Sequence, residues 1–196
     1  MPGRATGPPG PGPLASLVLM TASLISSRPV RVEVAVLGAC RELLGGTPFV
    51  PAAHAVSWFG EHARGWLVLG AVGWATGRRR PEWVAGAAGV ALAHASAVVA
   101  KRVVRRARPA LEHVPHLGGV HSGLSFPSAH ATSTAAAVVG YAPMVGRPVM
   151  VGALGAMAVS RVLLGVHWPS DVVAGALLGT AVGAGVRRVA GPGTAS

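Results

Sequence analysis

Apolar residues fill long blocks of this chain, and polar residues gather in short knots between them. Trp83 to Ala100, Ala129 to Gly146, Pro148 to Val159 and Val172 to Val186 are apolar or nearly so. A helix of about 18 residues spans roughly 27 Å, close to a bilayer core, so these blocks predict membrane helices. In Val32 to Leu44 the residues Glu33, Arg41 and Glu42 interrupt an aliphatic run, which predicts an amphipathic helix at the membrane surface. Leu14 to Ser27 is apolar, but no convincing cleavage site follows before Arg28-Pro29, and it reads as an interfacial or loosely inserted segment. Residues 1–13 are a Pro/Gly-rich tail. The expected organisation is a tail with a short apolar segment over 1–31, a membrane domain over 32–190 and a C-terminal tail over 191–196.

Hydrophobic residues make up 51% of the 196, yet only 5% are aromatic and 28 residues are glycine. A soluble core of this size needs more large side chains, whereas small residues let helices pack closely in lipid. The expected fold is all-α, a polytopic transmembrane bundle of about four to six helices, multi-pass in a bacterial plasma membrane. The net charge of +11 does not mark a nucleic-acid binder, because the arginines sit at the ends of apolar segments, as in Arg78-Arg79-Arg80 and Arg187-Arg188. Cys40 is the single cysteine, so the chain has no internal disulfide.

Three polar knots carry the candidate chemistry, and they hold the chain's only lysine and only aspartate. In Lys101-x6-Arg108-Pro109, the proline pushes Arg108 out of helix; a helix lasting to Ala107 would bring Lys101, Arg105 and Arg108 near one face. Arg102 and Arg106 read instead as a snorkelling basic collar. In Pro127-Ser128-Ala129-His130, Ser128 is a natural N-cap, and the helix start it caps is an anion site with His130 in its first turn. In Ser160-Arg161-x5-His167-x3-Asp171, Pro169 favours a helix start near Trp168, and Asp171 either caps that helix or reaches back to the ring of His167. Since each helix reverses direction, Lys101, Ser128, Arg161 and His167 emerge at one end of the bundle. Arg78 to Arg80, Arg147, Arg187 and Arg188 emerge at the other. Counting these against Arg102, Arg105 and Arg106 places the knots outside the cytoplasm, a count that the N-terminal arginines nearly reverse. His113, His116 and His121 lie in a loop without metal-ligand spacing.

Taken in order, the three knots resemble the three-part signature of the type 2 phosphatidic acid phosphatase superfamily, which also includes bacterial lipid phosphatases and vanadium haloperoxidases. The resemblance covers about seventy residues, and the family pattern usually has Gly where this chain has Ala129. Ala serves there if the position only presents its N–H to phosphate; a requirement for positive φ would strain it. The resemblance implies that Lys101, Arg108 and Arg161 clamp the phosphoryl oxygens, with Ser128 and the N–H groups around Ala129 as further donors. It implies that His167, steadied by Asp171, attacks phosphorus to give a phosphohistidine, while His130 protonates the leaving oxygen and then activates water. No metal or other cofactor is implied.

A site at the membrane boundary suits a lipid phosphate entering sideways, so the expected partners are the bilayer and a membrane lipid substrate; the oligomeric state is not fixed by sequence. Trp58-Phe59-Gly60-Glu61-His62-Ala63 and the short chain resemble the small bacterial branch that includes decaprenylphosphoryl-5-phosphoribose phosphatases of arabinan cell-wall synthesis. Glu61 and His62 read equally as headgroup contacts or as an ion pair at a helix start. The alternatives are an undecaprenyl diphosphate, phosphatidic acid or phosphatidylglycerophosphate phosphatase, and a non-catalytic lipid-phosphate-binding protein. The last would be marked by loss of a histidine, and both are present. A haloperoxidase is disfavoured by the apolar helices.

Overall fold

The computed structural model describes residues 31–110, 117–118 and 123–191. Residues 1–30, the loop residues His113, His116 and His121, and residues 192–196 lie outside the described residues. Among the described residues the chain is all-α: α1 (Arg31–Leu44), α2 (Phe49–Gly60), a 3-10 turn (Glu61–Ala63), α3 (Arg64–Ala75), α4 (Arg80–Val104), α5 (Ala129–Val145), α6 (Arg147–Leu163) and α7 (Pro169–Ala190).

The four apolar blocks are α4 to α7. α4 and α7 are long and apolar enough to cross a membrane, and only 33% and 22% of their most apolar windows are buried. Most of that apolar surface therefore faces outward, as a lipid-facing helix requires and a soluble core helix does not. At 12 residues each, α2 and α3 are shorter than a bilayer crossing, which is why the hydropathy pattern does not single them out.

α5 is the central post. Its Ala, Ser and Thr side chains are nearly all buried, and Thr132 and Ser133 satisfy their hydroxyls by donating to the carbonyls of Ser128 (2.8 Å) and Ala129 (3.0 Å). α4 reaches α5 through Gly86 and Gly140: an added Cβ at Gly140 would strike the Gly86 backbone, and one at Gly86 the ring of Tyr141; Trp66, Trp83, Val90 and Tyr141 fill the space beside them. α7 reaches α5 along Gly175, Gly179 and Gly183.

α1 lies across the end of the bundle where α6 finishes and α7 starts. Cys40 and Leu44 pack on Leu163, Leu164 and Val166, and Glu33 accepts hydrogen bonds from the backbone N–H and hydroxyl of Ser170. The helix expected over this stretch is thus present, but Glu33 is a buried anchor and not part of a solvated face. With Arg31 and Arg41 on that helix, the arginine count no longer distinguishes the two ends of the bundle.

Candidate active site

Helix ends deliver all three knots to one place. Lys101 lies in the last turn of α4, where its ammonium donates to the carbonyls of Ser125 (3.0 Å) and Leu124 (3.3 Å). The helix then stops at Val104, three residues earlier than the pattern suggests, because Arg105 takes a left-handed conformation (φ 54°). The expected shared face of Lys101, Arg105 and Arg108 does not form: Arg105 is exposed, and Arg108 reaches the site through an extended stretch pinned by the Ala107–Leu124 bridge. The Arg108 guanidinium donates to the carbonyl of Val166 (2.5 Å) and stands 3.4 Å from His167 Nε2.

Ser128 caps α5 by accepting the N–H of Ala131 (3.4 Å), while its own N–H donates to the carbonyl of Asp171 (2.9 Å). Its side chain is fully buried and does not line the cavity, contrary to its expected part as a phosphate donor. Ala129 is the first residue of α5 and has no positive φ, so alanine fits by presenting its N–H. His130 Nε2 lies 3.2 Å from the Ser57 carbonyl and 3.6 Å from Glu61 Oε2. A carbonyl accepts only from N–H, so Nε2 carries a proton and Nδ1 is the nitrogen left for proton exchange with a ligand.

Arg161 ends α6, buried, with no hydrogen-bond partner for Nε among the described residues, a donor that a bound anion would satisfy. His167 is 2% exposed. Burial, and then the charges of Arg108, Lys101 and Arg161, hold its imidazole well below the ordinary value, so the ring is neutral. Asp171 does not grip it as expected: Nδ1 and Oδ2 are 3.6 Å apart, beyond a hydrogen bond. The carboxylate instead accepts the Trp168 N–H (2.9 Å) as a helix cap and pairs with Arg106 (2.8 Å).

Arg106 is the residue that sequence reasoning misassigned. It is buried, not snorkelling, and also donates to Glu33 (2.7 Å) and Ser170 (2.6 Å).

One cavity of about 280 Å³ is lined by Lys101, Arg108, Ala129, His130, Arg161 and His167, together with Glu61, His62, His94 and Arg102. Cations, two imidazoles and a helix N-terminus around one space suit a phosphoryl group. A larger cavity, about 440 Å³, lies at the opposite end beside Arg79, Pro143 and Arg187 and contains none of the three knots.

Residues 82–192 match the model of the PAP2 superfamily. The chain belongs to that superfamily. Two curated relatives are named decaprenylphosphoryl-5-phosphoribose phosphatase. That of Mycobacterium tuberculosis is 47% identical over 169 residues, 85% of this chain and 96% of the relative. That of Mycolicibacterium smegmatis is 51% identical over 147 residues, 74% of this chain and 82% of the relative. A crystal structure of a transmembrane PAP2 type phosphatidylglycerolphosphate phosphatase from Bacillus subtilis superposes with a TM-score of 0.66 at 21% identity, covering 89% of this chain and 92% of that one, and shows the shared fold. This PAP2 protein is a membrane lipid phosphatase.

Proposed function

We propose that the enzyme removes the terminal phosphate from a polyprenyl-phosphoryl-5-phosphoribose, as the names of its relatives describe for them, with the chain inserted multi-pass in the bacterial plasma membrane. The observation that carries the mechanism is the convergence of Lys101, Arg108, Arg161, His130 and His167 on a single cavity.

Lys101, Arg108 and Arg161 hold the non-bridging oxygens of the phosphate, and the N–H groups at the start of α5 add neutral donors. His167 is neutral, as a nucleophile must be, and its Nε2 faces Arg108, so the lone pair on that nitrogen attacks phosphorus. The P–O bond to the ribose breaks as the N–P bond forms, and His130, which enters this step protonated on both ring nitrogens beside the bound phosphate dianion, gives its Nδ1 proton to the departing oxygen and is left neutral. In the second step water attacks the phosphohistidine, His130 takes the proton, and the N–P electron pair returns to His167. Three fixed cations neutralise the transferring group, so the steps need no metal. Ser128 and Asp171 act from behind the cavity wall, on the start of α5 and on the segment bearing His167.

The test is phosphate release by the detergent-purified protein from a panel of polyprenyl-phosphoryl-5-phosphoribose, polyprenyl phosphate, polyprenyl diphosphate and phosphatidic acid. The first should turn over fastest, activity should survive EDTA, and vanadate should inhibit. His167→Ala should lower kcat by about 10³ or more, Asp171→Asn by less. Near-normal turnover by His167→Ala would remove the phosphohistidine.

A further inference from the structure

The phosphate ligands do not account for everything that lines the cavity. Glu61, His62 and His94 come from outside the three knots, and a carboxylate is an odd neighbour for an anion site. A phosphate dianion offers no hydrogen to a carboxylate and repels it; a hydroxyl group donates to one readily. Glu61 Oε2 lies 3.6 Å from His130 Nε2, beside the group that serves the leaving oxygen. In a displacement in which attacking and leaving atoms lie in line, the ring of His130 marks the leaving-group side, and Glu61 borders that ring at its Nε2 edge while lining the same cavity.

The backbone is bent to hold the cluster there. His62 and Ala63 are both left-handed (φ 51° and 61°), although neither is glycine, and such backbone persists only where surrounding contacts impose it. Here the Glu61–His62 pair (3.2 Å) closes the turn, and Gly60 lets it settle against His130 and Met157, where a Cβ would collide. From α4, His94 brings its ring to 6.2 Å from that of His62, and His94 Nδ1 is buried without a hydrogen-bond partner among the described residues. A buried ring nitrogen of this kind calls for a polar ligand.

We propose that Glu61, His62 and His94 form a headgroup subsite that recognises a hydroxyl-bearing leaving group of the furanose type, and so select sugar-phosphate lipids over phosphatidic acid. The proposal rests on the lipid phosphatase reading above and assigns the residues that set its specificity. A diacylglycerol leaving group has no free hydroxyl to meet these side chains; a furanose has two.

The test compares kcat/KM for polyprenyl-phosphoryl-5-phosphoribose and for phosphatidic acid in wild type, Glu61→Leu, His94→Leu and His62→Asn. Asparagine is chosen at position 62 because it tolerates left-handed backbone. The ratio of the two values should fall about tenfold or more, chiefly through KM for the sugar lipid, because the sugar hydroxyls then lack their partners in the subsite. A ratio within about twofold of wild type in His62→Asn overturns the subsite, and this variant decides the matter if the two leucine variants lose both activities. A wild type that releases phosphate from neither lipid overturns the substrate reading on which the subsite rests; wild-type turnover with an unmoved ratio overturns only the subsite.

Discussion

Arg106 stands between Glu33 Oε2 at 2.7 Å and Asp171 Oδ1 at 2.8 Å, with all three side chains nearly sealed from water. Two buried carboxylates sharing one guanidinium are tolerable only while it is there, since removing one partner of a buried ion pair strands the other charge. Arg106→Leu should therefore destabilise the detergent-solubilised protein by about 3–5 kcal/mol, whereas Glu33→Gln, which keeps the hydrogen-bonding shape, should cost about 1 kcal/mol. Because Asp171 fixes the backbone N–H of Trp168, next to His167, Glu33→Gln should lower kcat and leave KM for the lipid unchanged. A thermal midpoint for Arg106→Leu equal to wild type would contradict the assignment. None of this was legible in the sequence. Lys101, Arg108, His130, Arg161 and His167 stand out because their spacing repeats a known chemical pattern, but Arg106 turns inward only because Arg105 is left-handed. No glycine announces that turn. Glu33 is 138 residues from Asp171, and nothing local links them.

The helices were far easier to read than the contacts between them. Hydropathy located α4 to α7 within a few residues, and Pro169 and Ser128 marked the starts that matter most for the site. What the pattern could not give was the axial register of α5 against α7, since many small residues permit several close approaches. The structure resolves it through Gly175, Gly179 and Gly183, spaced four apart on one face of α7. A Cβ at Gly179 would run into the carbonyl group of Thr132, and one at Gly175 into that of Ser128. This register sets the Ser128 N–H against the Asp171 carbonyl at 2.9 Å and so brings the second and third knots together. Gly179→Ala should push the two helices apart, lowering stability by about 1–3 kcal/mol and kcat with it. Gly185→Ala, on the same helix with nothing within 4 Å of its Cβ, is the control and should raise stability slightly by improved helix propensity. Equal midpoints for the two variants would mean that the α5–α7 contact is not held by this stripe.

At the scale of the molecule, the outward surface carries the membrane argument. Val68, Val72, Leu92, Val99, Val151, Val173 and Leu177 are all more than half-exposed or close to it, on helices whose ends carry the charges. The tryptophans divide the same way. Trp66, Trp83 and Trp168 are buried, while Trp58 and Trp74 are 73% and 48% exposed. Trp58 lies at the catalytic end near Arg64 (6.0 Å), and Trp74 near the opposite end under Arg80 (5.0 Å). Exposed tryptophans paired with arginine at the two ends of an apolar surface are placed as an aromatic belt requires, with each ring at one membrane interface. A bundle inserted as proposed would thus hold the catalytic cavity at headgroup depth, where a lipid phosphate can enter from the side. In vesicles of brominated phospholipid, Trp58 and Trp74 should account for most of the quenching. Bromines near the top of the acyl chain should quench more than bromines near its end. Trp58→Phe combined with Trp74→Phe should leave a protein whose fluorescence is nearly insensitive to the brominated lipid, since the remaining rings are shielded by protein. Strong quenching that survives the double substitution, or quenching that increases with bromine depth, would place the bundle differently from the membrane orientation proposed for it.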